Sequence, residues 1–431
     1  MGSKEMENVK AETVREEKED QGKEMGLQEN SLSNQNKMKK KMKKKQQRKK
    51  KRYYFIPKFG CMRSDDGDPT EEKPDVDGGF NVEAGCNSRH HSPNHLVVTV
   101  NGIIGSAQNW RFAAKQFVKA YPNDVIVHCS ESNSSMLTFD GVDVMGKRLA
   151  DEVISVVDRH PNLQKISFVG HSLGGLVARY AIAVLYRQDL KRKSGEENGE
   201  CVEDESQKSS LEEKPGGRIA GLEPVNFITS ATPHLGSRGH KQVPVFCGFN
   251  TMEKVASRAS WLLGRTGKHL FLSDCDDGKP PLLLRMSIDT EDLKFISALQ
   301  SFKRRVAYAN ARFDHLVGWS SSSLRRRSEL PKRRSLRKNA KYPHICNEER
   351  SDRANPQEEV SLETKVVRGR ASDMEETMIR GLTKLSWERV DVNFSGSIQR
   401  LLAHNTIQVK TRCINSAGAD VIQHMVDNFE L

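Results

Sequence analysis

The chain has 431 residues, 36% of them hydrophobic and 29% charged, a balance too polar for uniform folding along its whole length. Its formal net charge of +12 is matched by the twelve Lys and Arg of one acid-free run, Lys37 to Arg52, so the remainder is about neutral. A nucleic-acid binder needs its basic face on the folded body, so this distribution excludes that class and no nucleic-acid partner is expected.

Residues 1–93 read as a disordered basic tail and linker. The first fifty-two are rich in Glu, Lys and Gln, with too few large apolar side chains to offset the entropy of ordering. The run Lys37 to Arg52 is open to three readings: a solvated tail, a nuclear address, or a peripheral contact with anionic membrane. An aromatic patch, Tyr53 to Gly60, follows, and then a Gly- and Asp-rich linker. No apolar signal core and no stretch approaching about eighteen apolar residues is present, so neither secretion nor a membrane span is expected. Eight cysteines without C-x-x-C or tight pairing predict no zinc site and no disulfide frame. The expected surroundings are reducing and cytoplasmic, with membrane-associated or nuclear placement left open by the basic run.

An ordered domain is expected over 94–431. Short β-branched runs predict six strands, at His95 to Val100, Val125 to Cys129, Lys165 to Val169, Asn226 to Ser230, Arg305 to Ala309 and Arg389 to Phe394. Helical apolar spacing appears between them, at Trp110 to Ala120, Met145 to His160 and Leu173 to Tyr186. Strands alternating with such helices predict an α/β fold, a mostly parallel sheet with helices on both faces. Two polar insertions are expected, at 187–217 and 324–376, the second opening with nine Lys or Arg between Arg325 and Lys341. A moderately apolar stretch between them, Val243 to Leu272, reads as helical and stands where a cap would grow.

Gly170-His171-Ser172-Leu173-Gly174-Gly175 lies between a predicted strand and a predicted helix, the context that the G-x-S-x-G nucleophile elbow of an α/β-hydrolase requires. Ser172 is the expected nucleophile. The backbone N–H of Leu173, at the helix N-terminus, and that of Ile103, in the loop after the first core strand, are the expected oxyanion donors. The remaining partners must follow in the order acid, then histidine. Asp314, after the strand ending at Ala309, is the candidate acid, with Asp289 as the alternative and a turn-capping role as its bland reading. His404, expected in a loop before a final helix at Ala417 to Phe429, is the candidate base, whereas His424 within that helix and His171 beside the nucleophile read as packed side chains.

With Ser172, Asp314 and His404 so placed, the chain resembles the putative serine esterase family, a lipase-like branch of the α/β-hydrolases with many plant members. The segments that carry the resemblance are Val100-Asn101-Gly102-Ile103-Ile104-Gly105, Gly170 through Tyr180, Thr232-Pro233-His234-Leu235-Gly236 and Ala403-His404-Asn405. They fall within about His95 to Arg325 and Trp387 to the end. The resemblance implies hydrolysis of acyl esters, including lipids, without metal or cofactor, and it gives His234 no catalytic role. Asn101 departs from the lipase pattern, standing where the oxyanion loop usually carries His. Three function classes are weighed: a serine carboxylic-ester hydrolase, a catalytically silent hydrolase-fold scaffold, and a membrane-surface interaction protein. The intact order of the three side chains favours the first; oligomeric state is not readable.

Overall fold

The computed structural model describes residues 70–75, 79–85, 92–196, 217–237, 263–275, 278–351 and 371–431. The basic run and the aromatic patch lie outside these, as do most of the stretch expected to form a cap and residues 352–370.

Nine strands form one sheet: β1 Thr70–Pro74, β2 Phe80–Ala84, β3 His95–Val100, β4 Val125–Cys129, β5 Lys165–His171, β6 Glu223–Ser230, β7 Arg304–Asn310, β8 Ile345–Ser351 and β9 Trp387–Val392. Their order across the sheet is β1-β2-β4-β3-β5-β6-β7-β9-β8. The six central strands, β4-β3-β5-β6-β7-β9, are mutually parallel, and they are the six expected. Their unbroken apolar runs reflect burial on both faces: Leu96, Val98 and Phe168 enter one core and Val97 and Val169 the other. Helices α1 Arg111–Ala120, α2 Val142–Arg159 and α3 Leu173–Glu196 connect the strands. Leu149 and Val153 of α2 and Leu176 and Ile182 of α3 fill the first core. Phe117 of α1 fills the second, together with Val421 and Met425 of the C-terminal helix. This is the α/β-hydrolase arrangement, a largely parallel sheet covered by helices on both faces.

Two segments differ from the sequence expectation. Within the expected linker, β1 and β2 form a hairpin that extends the sheet through antiparallel pairing of β2 with β4. Its polar residues serve as partners for a buried histidine: Asn81 Oδ1 lies 2.8 Å from His128 Nδ1. The second polar insertion contributes β8, antiparallel to β9 at the far edge. Arg325, the first of the nine basic residues that open this insertion, is fully buried and bonds Asp391 Oδ1 at 2.9 Å and Glu349 Oε2 at 2.9 Å. Paired charges at a sheet edge carry no apolar periodicity, so they resemble surface loop in the sequence. In the first insertion, α3 continues to Glu196 and residues 197–216 lie outside the described set. No helix among the described residues is long and apolar enough to cross a membrane.

Candidate active site

The parallel strands end nearly level, with Val100 opposite Gly170, His171 opposite Ser230 and Asn310 opposite Val392. Loops from β3, β5, β6, β7 and β9 therefore meet along one edge, where the candidate side chains gather. Ser172 follows β5 directly and precedes α3. Its φ of 53° lies in the left-handed region, at a cost of about 1–3 kcal/mol. Its N–H bonds the Ser230 carbonyl at 2.9 Å, tying the elbow to β6. Glycine is required on both sides: a Cβ at Gly170 would meet the Gly175 backbone at 2.7 Å, and one at Gly174 would strike the Val100 carbonyl.

Asp314 stands in the loop after β7, with its side chain only 3% exposed. Oδ1 accepts the Leu316 and Val317 N–H groups at 3.0 and 2.9 Å. Oδ2 accepts Asn310 Nδ2–H at 2.9 Å and faces His404 Nδ1 at 3.1 Å. Burial pushes the carboxyl up, but the His404 charge and these hydrogen bonds outweigh it and hold the group below the usual 3.8. The capping role weighed for Asp314 is thus real and compatible with contact to His404. Asp289, the alternative, instead accepts the Ile296 and Ser297 N–H groups at 2.8 and 3.1 Å, at the start of the helix Phe295–Gln300.

His404 lies in a one-turn helix, Ala403–Thr406, rather than in open loop. The turn continues from the 3₁₀ segment Ile398–Leu402 and is braced by Thr406 Oγ1–H donating to the Leu402 carbonyl at 2.9 Å. The His404 Nε2 atom is 3.0 Å from Ser172 Oγ. With Nδ1–H donating to Asp314, Nε2 is left to accept the serine proton. His171, beside the nucleophile, packs its ring 4.8 Å from that of His404 and donates Nε2–H to the His404 carbonyl at 2.7 Å. Burial drives His171 well below the ordinary 6.5, keeping it neutral. Nothing in the sequence signalled that contact, which bridges residues 233 positions apart.

Around Ser172 a cleft of about 350 Å³ is lined by both expected oxyanion donors, Ile103 and Leu173, along with His404. Ile104 N–H is committed to Thr138 Oγ1 at 3.1 Å and Gly105 N–H to the Gly102 carbonyl at 3.0 Å. Asn101 plays a structural part, its amide bonding the Gly102 carbonyl at 3.1 Å and the Asn133 carbonyl at 3.0 Å and so stapling the loop that presents Ile103. His234 is fully buried against Trp387 with Nε2 3.0 Å from Thr229 Oγ1, and His424 bonds Tyr308 through Nδ1 at 2.9 Å. Both are packed side chains, away from Ser172.

Fold and elbow together define an α/β-hydrolase. The family described as "Putative serine esterase" has a model that matches residues 90–324, more than half of the chain, and the protein belongs to that family. It is 31% identical to "Putative lipase ROG1" of Saccharomyces cerevisiae over 237 residues, 53% of this chain and 28% of that one. It is 25% identical to "Putative lipase C4A8.10" of Schizosaccharomyces pombe over 248 residues, 55% of this chain and 27% of that one. The chain thus spans under a third of the length of these relatives. Among solved structures, carboxyl esterase 2 of Tuber melanosporum aligns over 84% of this chain and 92% of its own, at 10% identity and a TM-score of 0.36. A lipase of Bacillus licheniformis, BlEst2 in its propeptide form, covers 57% of this chain and 39% of its own, at 15% identity and a TM-score of 0.30.

Proposed function

We propose that the protein is a serine carboxylic-ester hydrolase that works through an acyl-enzyme. The observation that carries this reading is one imidazole lying 3.0 Å from Ser172 Oγ and 3.1 Å from Asp314 Oδ2, at the edge of a cleft. Ser172 attacks the ester carbonyl as His404 Nε2 takes its proton. Asp314 holds the His404 tautomer and stabilises the imidazolium. The Ile103 and Leu173 N–H groups receive the oxyanion, helped by the positive end of α3. His404 returns the proton to the departing alkoxide, water then attacks the acyl-enzyme, and the free acid leaves.

The cleft wall supports a substrate class. Ile103, Ile104, Leu270, Leu316 and Val317 offer an apolar surface to an acyl chain, which supports esters of lipids. The yeast relatives named as lipases support the same assignment. Contact of Lys37 to Arg52 with anionic membrane is a further part of the reading, resting on charge alone.

Labelling with a fluorophosphonate tests the proposal. Wild type should be labelled and should hydrolyse p-nitrophenyl esters, and Ser172→Ala should do neither while keeping its thermal unfolding midpoint. A folded wild type that takes no label would instead support the silent scaffold.

A further inference from the structure

The cleft beside Ser172 has an uneven charge. Its wall is apolar or neutral apart from Lys410, and among the described residues no Asp or Glu lines it. Lys410 is partly buried, and no carboxylate among the described residues lies within ion-pairing distance of it; burial alone accounts for the fall of its ammonium below the usual 10.5. Its charge reaches the site, since it is among the groups holding His171 neutral. A partly desolvated cation without a counter-charge is costly, and a ligand anion removes that cost.

The backbone around Lys410 is tightly specified. Val409 is β-branched yet has φ 56°, an outlier conformation for such a residue. Val409 N–H bonds the Thr406 carbonyl at 3.0 Å and Lys410 N–H the Asn405 carbonyl at 3.1 Å, so the chain folds back on the turn that carries His404. The wider segment from 393 to 418 contains Arg400, Lys410 and Arg412 and no Asp or Glu. It also exposes Ile398, Leu401, Leu402 and Ile414. Lys410 beside the apolar wall of the cleft matches an amphiphile with a negative head.

We propose that Lys410 is the anion-recognising residue of this cleft, and that the preferred substrate is an acyl ester of an anionic amphiphile, with a phosphate or carboxylate near the scissile ester. This rests on the ester-hydrolase reading above and narrows it. The apolar wall receives the acyl chain, Ser172 attacks its carbonyl, and Lys410 holds the charged end of the alcohol portion.

Binding can be measured apart from catalysis in the full-length Ser172→Ala protein, with 1-oleoylglycerol 3-phosphate, 1-oleoylglycerol and inorganic phosphate as probes. The phosphate ester should bind about tenfold or more tightly than its neutral counterpart, the scale of a charge-assisted hydrogen bond. That advantage should shrink as salt is raised. Adding Lys410→Gln should abolish the advantage and Lys410→Arg should retain most of it, with unfolding midpoints confirming that each variant is folded. Equal binding of the two lipids, or an advantage that survives Lys410→Gln, overturns the proposal. Displacement of the phosphate ester by inorganic phosphate at equal affinity overturns the amphiphile assignment. In wild type, the ratio of kcat/KM for the anionic ester over the neutral one should follow the same pattern. Hydrolysis of both esters at equal kcat/KM overturns the proposal and leaves the ester-hydrolase reading intact; binding preference without any hydrolysis does the reverse.

Discussion

His404 and His128 are both buried imidazoles with a carboxylate at hand and a serine close by, but their surroundings differ. His404 has Asp314 on Nδ1 and the Ser172 hydroxyl on Nε2, so one nitrogen donates while the other can accept. His128 meets oxygen on both sides. Asn81 Oδ1 lies 2.8 Å from Nδ1, with Asp75 Oδ2 at 3.5 Å, and Glu152 Oε1 lies 3.2 Å from Nε2. Ser130 donates its hydroxyl to Glu152 Oε2 at 2.5 Å rather than to the imidazole. The serine also differs in backbone: Ser172 is held at positive φ on an elbow, beside a cleft that His128 does not line. The proposed function thus asks for more than a histidine, an acid and a serine in contact. A free accepting nitrogen, a strained and presented hydroxyl and room for substrate separate the proposed catalytic group from one that fastens a hairpin to the sheet.

Mutation can break that comparison. Ser172→Ala should lower kcat by about 10⁶-fold, as loss of a serine nucleophile does elsewhere. Ser130→Ala should leave the kcat of folded protein within a few-fold, and steady-state ester hydrolysis compares the two. Asp314→Asn should lower kcat by about 10⁴-fold with little change in KM, because the wrong tautomer of His404 is then favoured. A fall of that size in folded Glu152→Gln protein would erase the distinction. His128→Ala should act on stability instead, costing about 1–3 kcal/mol by urea denaturation as Glu152 and Asn81 lose a buried hydrogen-bond partner. Its fluorophosphonate labelling rate should remain that of wild type wherever the variant is folded.

Acid sharpens the comparison further. Burial lowers His95 to about 3 and drives His171 and His234 well below 6.5. Below 6.5 the unfolded chain binds protons that the folded chain does not, so stability should fall as pH drops from there toward about 3. Asp314 and Glu152 are both held below their ordinary 3.8 and 4.5; burial is the largest single influence and raises each, but the hydrogen bonds and the histidine charge together outweigh it. Their contribution is present above those values and is lost only at lower pH, as each group protonates in the folded state. Urea midpoints measured across this range should therefore decline before the carboxylates titrate, and His95→Gln should flatten the early part. The smallest effect is expected from Asn310→Ala, which removes one hydrogen bond to Asp314; kcat/KM should fall about tenfold or less.

Much of the site was legible because its signals are local. The elbow is one contiguous segment, and the order of Ser172, Asp314 and His404 along the chain follows the order of the strands. The edges of the sheet were not legible. The hairpin at 70–84 and the strand at 345–351 are built from polar residues whose partners, His128, Asp391 and Arg389, lie far away in sequence. Polar side chains paired across such distances have the composition of linker or surface loop.

By itself, the sequence determined the six central strands, the turn that presents Ser172 and the α/β class, because apolar runs and glycine sterics act between near neighbours. Only the tertiary structure decided which acid and which histidine meet. Asp314 and His404 are 90 residues apart, and His404 and Ser172 are 232. The level ends of parallel strands bring them within hydrogen-bond reach, while the same packing assigns Asp289 to a helix start and His424 to Tyr308. It likewise set Lys410 in the cleft with no carboxylate of the described residues in ion-pairing distance, a placement that follows from how the chain folds back after His404.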